Sequence, residues 1–349
     1  MLRPDSDAAP PRFALTLLVT ALAMALPGCG PMPARLRFVS SQATHASWSF
    51  VVDDRARGAQ MLIDGRFRYT GCDRAGRNLR CELRGMFPGG HTVELRLPGA
   101  VLRRSVVIGR EWPTRPALVR VGSPDEAKAA AKAGADGVIA ENSLGPETLG
   151  EIAEAVHAES ARLFVSGDAT AIETAGADGV IDAALPADMK RRFPEAQALA
   201  IDAAASKLLL QVDKGTPLPA PAPIHAAAGL VEGRGLYAGA LALLGPAGAV
   251  VDKSAFPMLG ARKRHAALRA GAATLLTALP TRVAFTVSKG GDHVTVLVNA
   301  DAEPWPVRPA QPANPLDLLG GQVHDGEATV APNDVALLVS SPQPDRTRF

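Results

Sequence analysis

The strongest constraint on the fold is a middle region in which short apolar runs alternate with Ala-rich helical segments. The run LVRVG precedes SPDEAKAAAKAG, and DGVIAEN precedes PETLGEIAEAVHAES. Ser123, followed three residues later by Glu126, has the capping-box pattern that starts a helix. This alternation predicts a parallel sheet, either open or closed as a barrel.

The length of this region limits the kind of barrel that it can form. Residues 116–279 span about 165 positions, whereas a complete eight-fold barrel usually needs ~250. The hexapeptide GADGVI occurs at 134–139 and again at 176–181, as repeated βα units would require. Further strands are predicted at RLFVSGD, ALAIDA, LLLQVD and GAVVDK. We therefore predict a shortened (β/α) TIM-barrel-like domain.

Both flanks of this region have a different periodicity. Residues 29–110 and 282–341 are rich in runs that alternate apolar and polar positions, such as HTVELRLPG and HVTVLVNA. Alternation with period two, interrupted by Gly and Pro, predicts antiparallel strands. The predicted fold class is α/β plus all-β. An N-terminal Ig-like β-sandwich precedes the barrel-like domain, and a C-terminal antiparallel β-sandwich follows it.

The N-terminus has the pattern of an export signal. A polar start carrying Arg3 and Arg12 is followed by the apolar run 14–26, which is too short to span a bilayer. The run ends in Leu-Pro-Gly-Cys29, which resembles the lipobox of bacterial lipoproteins. This resemblance implies removal of residues 1–28 and a lipid anchor on Cys29. Gly30, where Asp would signal inner-membrane retention, favours the outer membrane of the cell envelope. The alternative is an ordinary secretory signal.

Two further cysteines flank a predicted turn. Cys72 and Cys81 lie on either side of AGRN, and an exported chain meets an oxidising compartment, so a disulfide between them is expected. A metal site is the alternative interpretation, but a partner His is missing nearby. We predict no metal site and no cofactor.

The charge distribution bears on possible partners. Between Cys29 and Trp112 there are fourteen Arg and seven acidic residues, a balance of +7. A basic module close to a lipid anchor could contact anionic headgroups, or its arginines could be a solvated sheet face. Because basic stretches with interleaved aromatic residues are missing, nucleic acid is not expected as a partner.

The C-terminal third carries a family resemblance. The segments RKRHAALRAG, VAFTVSKGGDHVTVLVNADAEPWPV and DLLGG…ATVAPNDVALL resemble the closing pattern of the α-amylase superfamily, glycoside hydrolase family 13. In that family the last barrel helix leads into an antiparallel β domain. The resemblance covers about 80 residues and implies α-glucan or other glycan chemistry.

The resemblance also implies three site residues. AGADGVIAENS is similar to the fourth-strand motif and places Glu141 at the nucleophile. RLFVSGDAT is similar to the fifth-strand motif and places Asp168 at the general acid, and LLLQVDKGTP places Asp213 at the stabilising Asp. Asp182 is a second candidate for the nucleophile. The alternative is that these carboxylates only cap strand ends.

Departures from the family pattern bear on activity. Ile139 stands where the family has an Arg that orients the nucleophile, and Asp168 replaces a longer Glu. The segment SPDEAKAAAKAGADGVIAEN is also similar to the βα units of phosphate- or flavin-binding barrels such as nitronate monooxygenases, but a Gly-rich phosphate loop of the expected kind does not follow. Two classes of function remain: an α-amylase-like protein with impaired or no hydrolysis, and a non-catalytic envelope protein that binds a glycan or a protein.

Overall fold

The computed structural model describes residues 38–53, 60–67, 71–76, 78–97, 100–212, 227–243, 247–309, 315–319, 323–324 and 326–340. The predicted signal segment, Cys29 and Asp213 lie outside these residues. Among the described helices, none is long and apolar enough to cross a membrane.

The first strands build a sandwich of two antiparallel four-stranded sheets. In SWSFVVD every second residue is apolar, and Trp48, Phe50 and Val52 are buried. These side chains share a core with Val93 and Ile108 of the second sheet. The first sheet, in spatial order, contains β1 (Phe38–Ala43), β2 (Ser47–Asp53), β6 (Asn78–Arg84) and β5 (Gly71–Ala75); the second contains β4 (Arg66–Phe67), β3 (Gln60–Ile63), β7 (Gly89–Leu97) and β8 (Ala100–Ile108).

The predicted disulfide is present in the first sheet. Cys72 of β5 lies directly opposite Cys81 of β6, with their Cα atoms 4.1 Å apart, and the two sulfur atoms are bonded. The predicted hairpin placed the two thiols at matching register positions, so this expectation is confirmed.

The middle region forms a sheet of seven parallel strands. They are β9 (Ala117–Val121), β10 (Gly137–Glu141), β11 (Arg162–Ser166), β12 (Gly179–Ile181), β13 (Gln197–Leu199), β14 (Val231–Glu232) and β15 (Ala249–Val251). β15 lies between β14 and β9. A parallel bridge between Ile201 and Leu230 joins the β13 and β14 ends, where Leu230 donates its N–H to Ala200 O at 2.8 Å. This bridge links the two edge strands, and the parallel sheet has the shortened, TIM-barrel-like form that was predicted.

Helices cover the outside of this barrel. They are α1 (Pro124–Ala133), α2 (Gly145–Ala158), α3 (Thr170–Thr174), α4 (Ala187–Arg192), α5 (Ala203–Val212), α6 (Gly235–Ala242), α7 (Phe256–Arg264) and α8 (Ala266–Ala270). The start of α1 is capped as predicted, because Ser123 Oγ accepts the N–H of Glu126 at 3.3 Å. The Glu126 carboxylate in turn accepts the N–H of Gly122 at 2.7 Å.

The barrel interior is a closed apolar layer. Six buried side chains, five from barrel strands and one from the residue that precedes β14, form this layer: Leu118, Ile139, Phe164, Ile181, Leu230 and Val250. Trp112 packs beneath them with its ring centroid 5.2 Å from that of Phe164. The interior is therefore filled at this level.

The repeated hexapeptide has a structural role at the opposite end of the barrel. Asp136 accepts the N–H of Ala117 at 3.0 Å, and Asp178 accepts the N–H of Leu163 at 2.8 Å. Each Asp thus holds the start of the neighbouring strand. The GADGVI repeat marks two equivalent strand entries.

One predicted strand is wrong. LLLQVD was expected as a strand, but residues up to Val212 belong to helix α5. Ala205, Ser206 and Leu209 are buried, which is a helical spacing, and Asp202 caps the helix by accepting the N–H of Ala205 at 3.0 Å. The sequence preceding Asp213 is therefore not a barrel strand.

The C-terminal part is a pair of packed antiparallel sheets. The larger contains β16 (Ala272–Ala278), β17 (Arg282–Lys289), β18 (Asp292–Asn299), β23 (Asp334–Ser340) and β20 (Pro315–Asp317); the smaller contains β19 (Trp305–Val307), β22 (Glu327–Val330) and β21 (Val323–His324). Phe285 and Val296 face the barrel core, while Leu297 and Leu338 pack against the smaller sheet. The sequence predicted that the antiparallel region starts at Arg282. Because β16 pairs with β17, this region begins earlier, at β16.

Candidate functional site

A layer of charged side chains lies at the carboxyl ends of the barrel strands. Because side chains alternate along a strand, a residue two positions after an inward residue points into the mouth of the barrel. Arg120 follows Leu118 in this way, Glu141 follows Ile139, and Glu232 follows Leu230. This end of the barrel is where barrel enzymes carry their active sites.

Arg120 connects the carboxylates of this layer. Its Nε and Nη2 each donate to one oxygen of Glu232 at 3.2 Å, which is the two-pronged geometry of an Arg–carboxylate pair. Its Nη1 lies 3.5 Å from Glu141 Oε1. The Glu232 side chain is 13% exposed and that of Glu141 62% exposed. Glu141 therefore presents a carboxylate to the solvent, while Glu232 is held inside the layer.

A cavity of about 610 Å³ opens beside this cluster, between β9, β14 and β15. Its charged lining residues are Arg120, Glu126, Glu232, Arg234, Asp252 and Lys253. Phe256 is the sole aromatic side chain in its lining. The cavity thus combines an apolar lining with charged side chains and has a size that suits a small ligand.

Asp252 organises the loop after β15. Its Oδ1 accepts the N–H of Ser254 at 3.0 Å, and its Oδ2 accepts the N–H of Gly235 at 2.8 Å. Burial raises the pKa of Asp252, but these hydrogen bonds, together with the charge of Arg234, outweigh burial and lower it. Asp252 therefore remains an ionised acceptor that ties the β14 and β15 loops together.

The residues predicted from the family resemblance do not form one cluster among the described contacts. Glu141 contacts Arg120 in the mouth. Asp168 follows β11 by two residues, is exposed, and accepts the N–H of Thr170 at 2.9 Å. Asp182 has φ 55° and accepts the N–H of Ile201 at 2.7 Å, which joins β12 to the segment after β13. Asp213 lies outside the described residues.

Sequence reasoning missed Arg120 and Glu232. The signal for Arg120 was an arginine inside the apolar strand LVRVG, where the alternation of a barrel strand points it inward. Glu232 was hidden because its strand has two residues and the sequence analysis placed a strand at 208–213 instead. No motif in the sequence joins two residues 112 positions apart.

A second polar chain was also missed, at the base of the barrel. Ser105 Oγ lies 2.6 Å from His157 Nδ1, and His157 Nε2 lies 2.7 Å from Asp178 Oδ2. The three residues are far apart in the sequence and lie on β8, on α2 and before β12, so no local motif joins them. The His157 side chain is 1% exposed, and Ser105 is 5% exposed. This chain joins the N-terminal sandwich to the barrel base, and its Ser and His side chains are both buried.

Metal ligands do not cluster in the described part of the chain. No group of three His, Cys, Asp or Glu side chains there has a geometry that could hold a metal ion.

The sequence matches no protein-family model and no curated protein. The fold is similar to several solved structures at low identity. For α-amylase from Geobacillus thermoleovorans in complex with acarbose, identity is 9% over 67% of this chain and 100% of that chain, with a TM-score of 0.44. For maltogenic amylase from S. marinus, identity is 7% over 87% of this chain and 81% of that chain, with a TM-score of 0.42. For a cyclomaltodextrinase, identity is 11% over 87% and 98%, with a TM-score of 0.39. Similarity at this level assigns neither a family nor an activity to the chain.

Proposed function

We propose that this protein is a lipid-anchored envelope protein that binds an α-glucan or related glycan at the mouth of its barrel, with little or no hydrolysis. The observation that carries the proposal is the 610 Å³ cavity beside the Arg120–Glu141–Glu232 cluster. The resemblance of the C-terminal segments to the α-amylase superfamily supports the choice of glycan, and descent from that family is part of the proposal.

The chemistry of the cluster suits hydroxyl groups. Sugar hydroxyls both donate and accept hydrogen bonds, so they pair with carboxylate acceptors and with cationic donors. Glu141 offers exposed acceptor oxygens, and Arg234 is 61% exposed. Arg120 contacts both Glu141 and Glu232 and so links the two carboxylates. A fixed array of this kind supports recognition.

Hydrolysis needs more than this array offers. Glycosidases use two carboxyl groups on opposite sides of the scissile bond, one of which protonates the leaving oxygen. Both oxygens of Glu232 are engaged by Arg120, and Asp168 is engaged by a backbone N–H. Among the described carboxylates of the mouth, Glu141 and Asp168 remain exposed, and no described contact joins the two. We therefore expect binding to exceed turnover.

Titration calorimetry with maltodextrins, alongside a reducing-sugar assay, tests this function on the full chain purified in detergent. We expect binding without turnover, and loss of binding in Glu232→Gln. The matched control is Glu327→Gln, an exposed glutamate of β22 in the smaller C-terminal sheet, which should bind normally. Turnover that disappears in Glu141→Gln would make the protein an active hydrolase. Absence of glycan binding would favour the alternative, a scaffold that binds a protein partner.

The anchor is tested separately. Mass spectrometry of the membrane-extracted protein should find a diacylglycerol-type modification on residue 29 as the new N-terminus. Cys29→Ser should release the protein from the membrane fraction. An unmodified N-terminus elsewhere would indicate an ordinary secretory signal instead.

A further inference from the structure

We propose that the glycan bound in the barrel mouth carries an anionic group, a phosphate or a carboxylate, and that Arg234 and Lys253 bind this group. The inference rests on the proposed function and specifies the class of its ligand. It follows from which hydrogen-bonding groups in the cavity are already used.

The two cations lie on adjoining loops. β14 pairs with β15 through Val231–Ala249 and Glu232–Val250, and Gly233 continues this pairing with an N–H to Val250 O bond of 2.9 Å. The Gly235–Asp252 hydrogen bond then ties the two loops together. Arg234 and Lys253 each lie one residue from this bond, and both line the cavity.

Most carboxylate oxygens of the cavity already accept hydrogen bonds. Both oxygens of Asp252 accept hydrogen bonds from loop groups, and both oxygens of Glu232 accept from Arg120. Glu126 is engaged by the N–H of Gly122. A ligand that enters this end of the cavity therefore finds few free acceptors for its own donors.

Most of the donors, in contrast, are unused. An Arg side chain has five N–H donors and a Lys side chain has three. The closest carboxylate contact of Arg234 is a single 3.5 Å approach to Glu232 Oε1. Lys253 is exposed and has neither a hydrogen bond nor an ion pair to any described residue. A ligand group that binds at this end of the cavity must supply hydrogen-bond acceptors. Two adjoining cations favour a ligand group that is negatively charged.

The position and shape of the loops agree with this ligand. β14 and β15 are the last two strands of the barrel, and the loops at this place commonly hold phosphate groups in barrel proteins. The loop after β14 turns closely over α6: a Cβ atom on Gly233 would lie 2.2 Å from Ala238 O. Gly233 thus lets the chain turn tightly enough to bring Arg234 to the cavity rim.

The experiment measures binding of glucose, glucose 6-phosphate, glucuronate and inorganic phosphate to the full chain in detergent. We expect at least one of the two charged sugars to bind at least about tenfold more tightly than glucose. This affinity ratio should fall as the sodium chloride concentration is raised. The ratio of glucose 6-phosphate to glucuronate binding then identifies the anion as phosphate or carboxylate.

Variants locate the effect. Arg234→Gln combined with Lys253→Gln should remove the advantage of the charged sugars over glucose. Lys289→Gln, an exposed lysine at the β17–β18 turn, is the matched control and should keep the advantage. Thermal unfolding confirms that each variant is folded.

The outcomes separate the two proposals. Equal binding of charged and neutral sugars, or an advantage that survives in the double variant, overturns the anion site and leaves glycan binding intact. If the charged sugars bind through Arg234 and Lys253 and glucose fails to bind, the anion site is supported. The glycan is then narrowed to an acidic one. Failure of the charged sugars and of phosphate to bind, while maltodextrins do bind, overturns the anion site alone, and failure of maltodextrins as well overturns both.

Discussion

Arg120 and Glu232 join two barrel strands that are not neighbours, through paired hydrogen bonds of 3.2 Å that pass over β15. The pair fixes the β9 and β14 sides of the mouth relative to one another. Because Arg120 also contacts Glu141, a change at this guanidinium alters the whole polar layer.

We predict that Arg120→Gln weakens glycan binding by about tenfold or more, since it removes a charged donor from a fixed array. The Arg120 side chain is 38% exposed, so the loss of folding free energy should stay near ~1 kcal/mol or below. Calorimetry and urea unfolding measure the two effects.

A double-mutant cycle with Glu232→Gln tests whether the two residues act as a pair. The combined variant should lose little more affinity than either single variant. Additive losses would show that Arg120 and Glu232 contact the ligand independently.

The second prediction concerns the base of the barrel, where Asp136 is 4% exposed and lies among arginines. Arg262 donates to it, and Arg110 and Arg269 lie 3.6 and 3.9 Å away. Asp136→Asn keeps an acceptor for Ala117 but leaves these cations without their buried counter-charge. We expect a loss of about 3–5 kcal/mol in the free energy of unfolding.

Urea unfolding measures this loss, with Asp125→Asn on the exposed first turn of α1 as the control. The control should change stability by less than ~0.5 kcal/mol. If Asp136→Asn also changes the free energy of unfolding by less than ~0.5 kcal/mol, the charges of the arginines are screened by solvent and do not depend on the aspartate.

Sequence reasoning predicted the periodic parts of this fold and missed the short ones. Long alternating runs such as that ending at Val52 and the capped helix after Ser123 carry enough local signal to identify themselves. β14 has only two residues and so gives little local signal. The apolar segment at the end of helix α5 (203–212) was predicted as a strand instead. The mouth could be predicted in part. Glu141 ends a clear strand and was predicted as a site residue. Its partner Arg120 and the distant Glu232 come together only in the folded barrel.

The third prediction is a pH dependence at the junction between the N-terminal sandwich and the barrel. Burial, with a smaller contribution from Asp178, raises the pKa of Glu195 to about 7, and one of its carboxylate oxygens is buried without a partner among the described residues. The folded state therefore holds this proton more tightly than the unfolded state does. Stability should fall as the pH rises from about 4.5 to 7, by roughly 3 kcal/mol in total.

Glu195→Gln removes this titration. The variant should gain stability relative to the parent protein at pH 8 and lose that advantage near pH 4.5, as measured by urea unfolding across the range. A difference between the two proteins that does not change with pH would contradict the assignment to Glu195.

The last prediction concerns the disulfide between Cys72 and Cys81, which closes a short loop between β5 and β6. A crosslink stabilises mainly by restricting the unfolded chain, and a loop of this length corresponds to about 2–3 kcal/mol. Cys72→Ala combined with Cys81→Ala should lower the unfolding free energy by that amount, and reduction of the parent protein should give the same loss. Cys81 is fully buried in the sandwich core, so the single change Cys72→Ala, which leaves the buried thiol in place, separates the crosslink from lost packing. If the single variant is as stable as the parent, the bond contributes nothing and the loss in the double variant is a cavity effect.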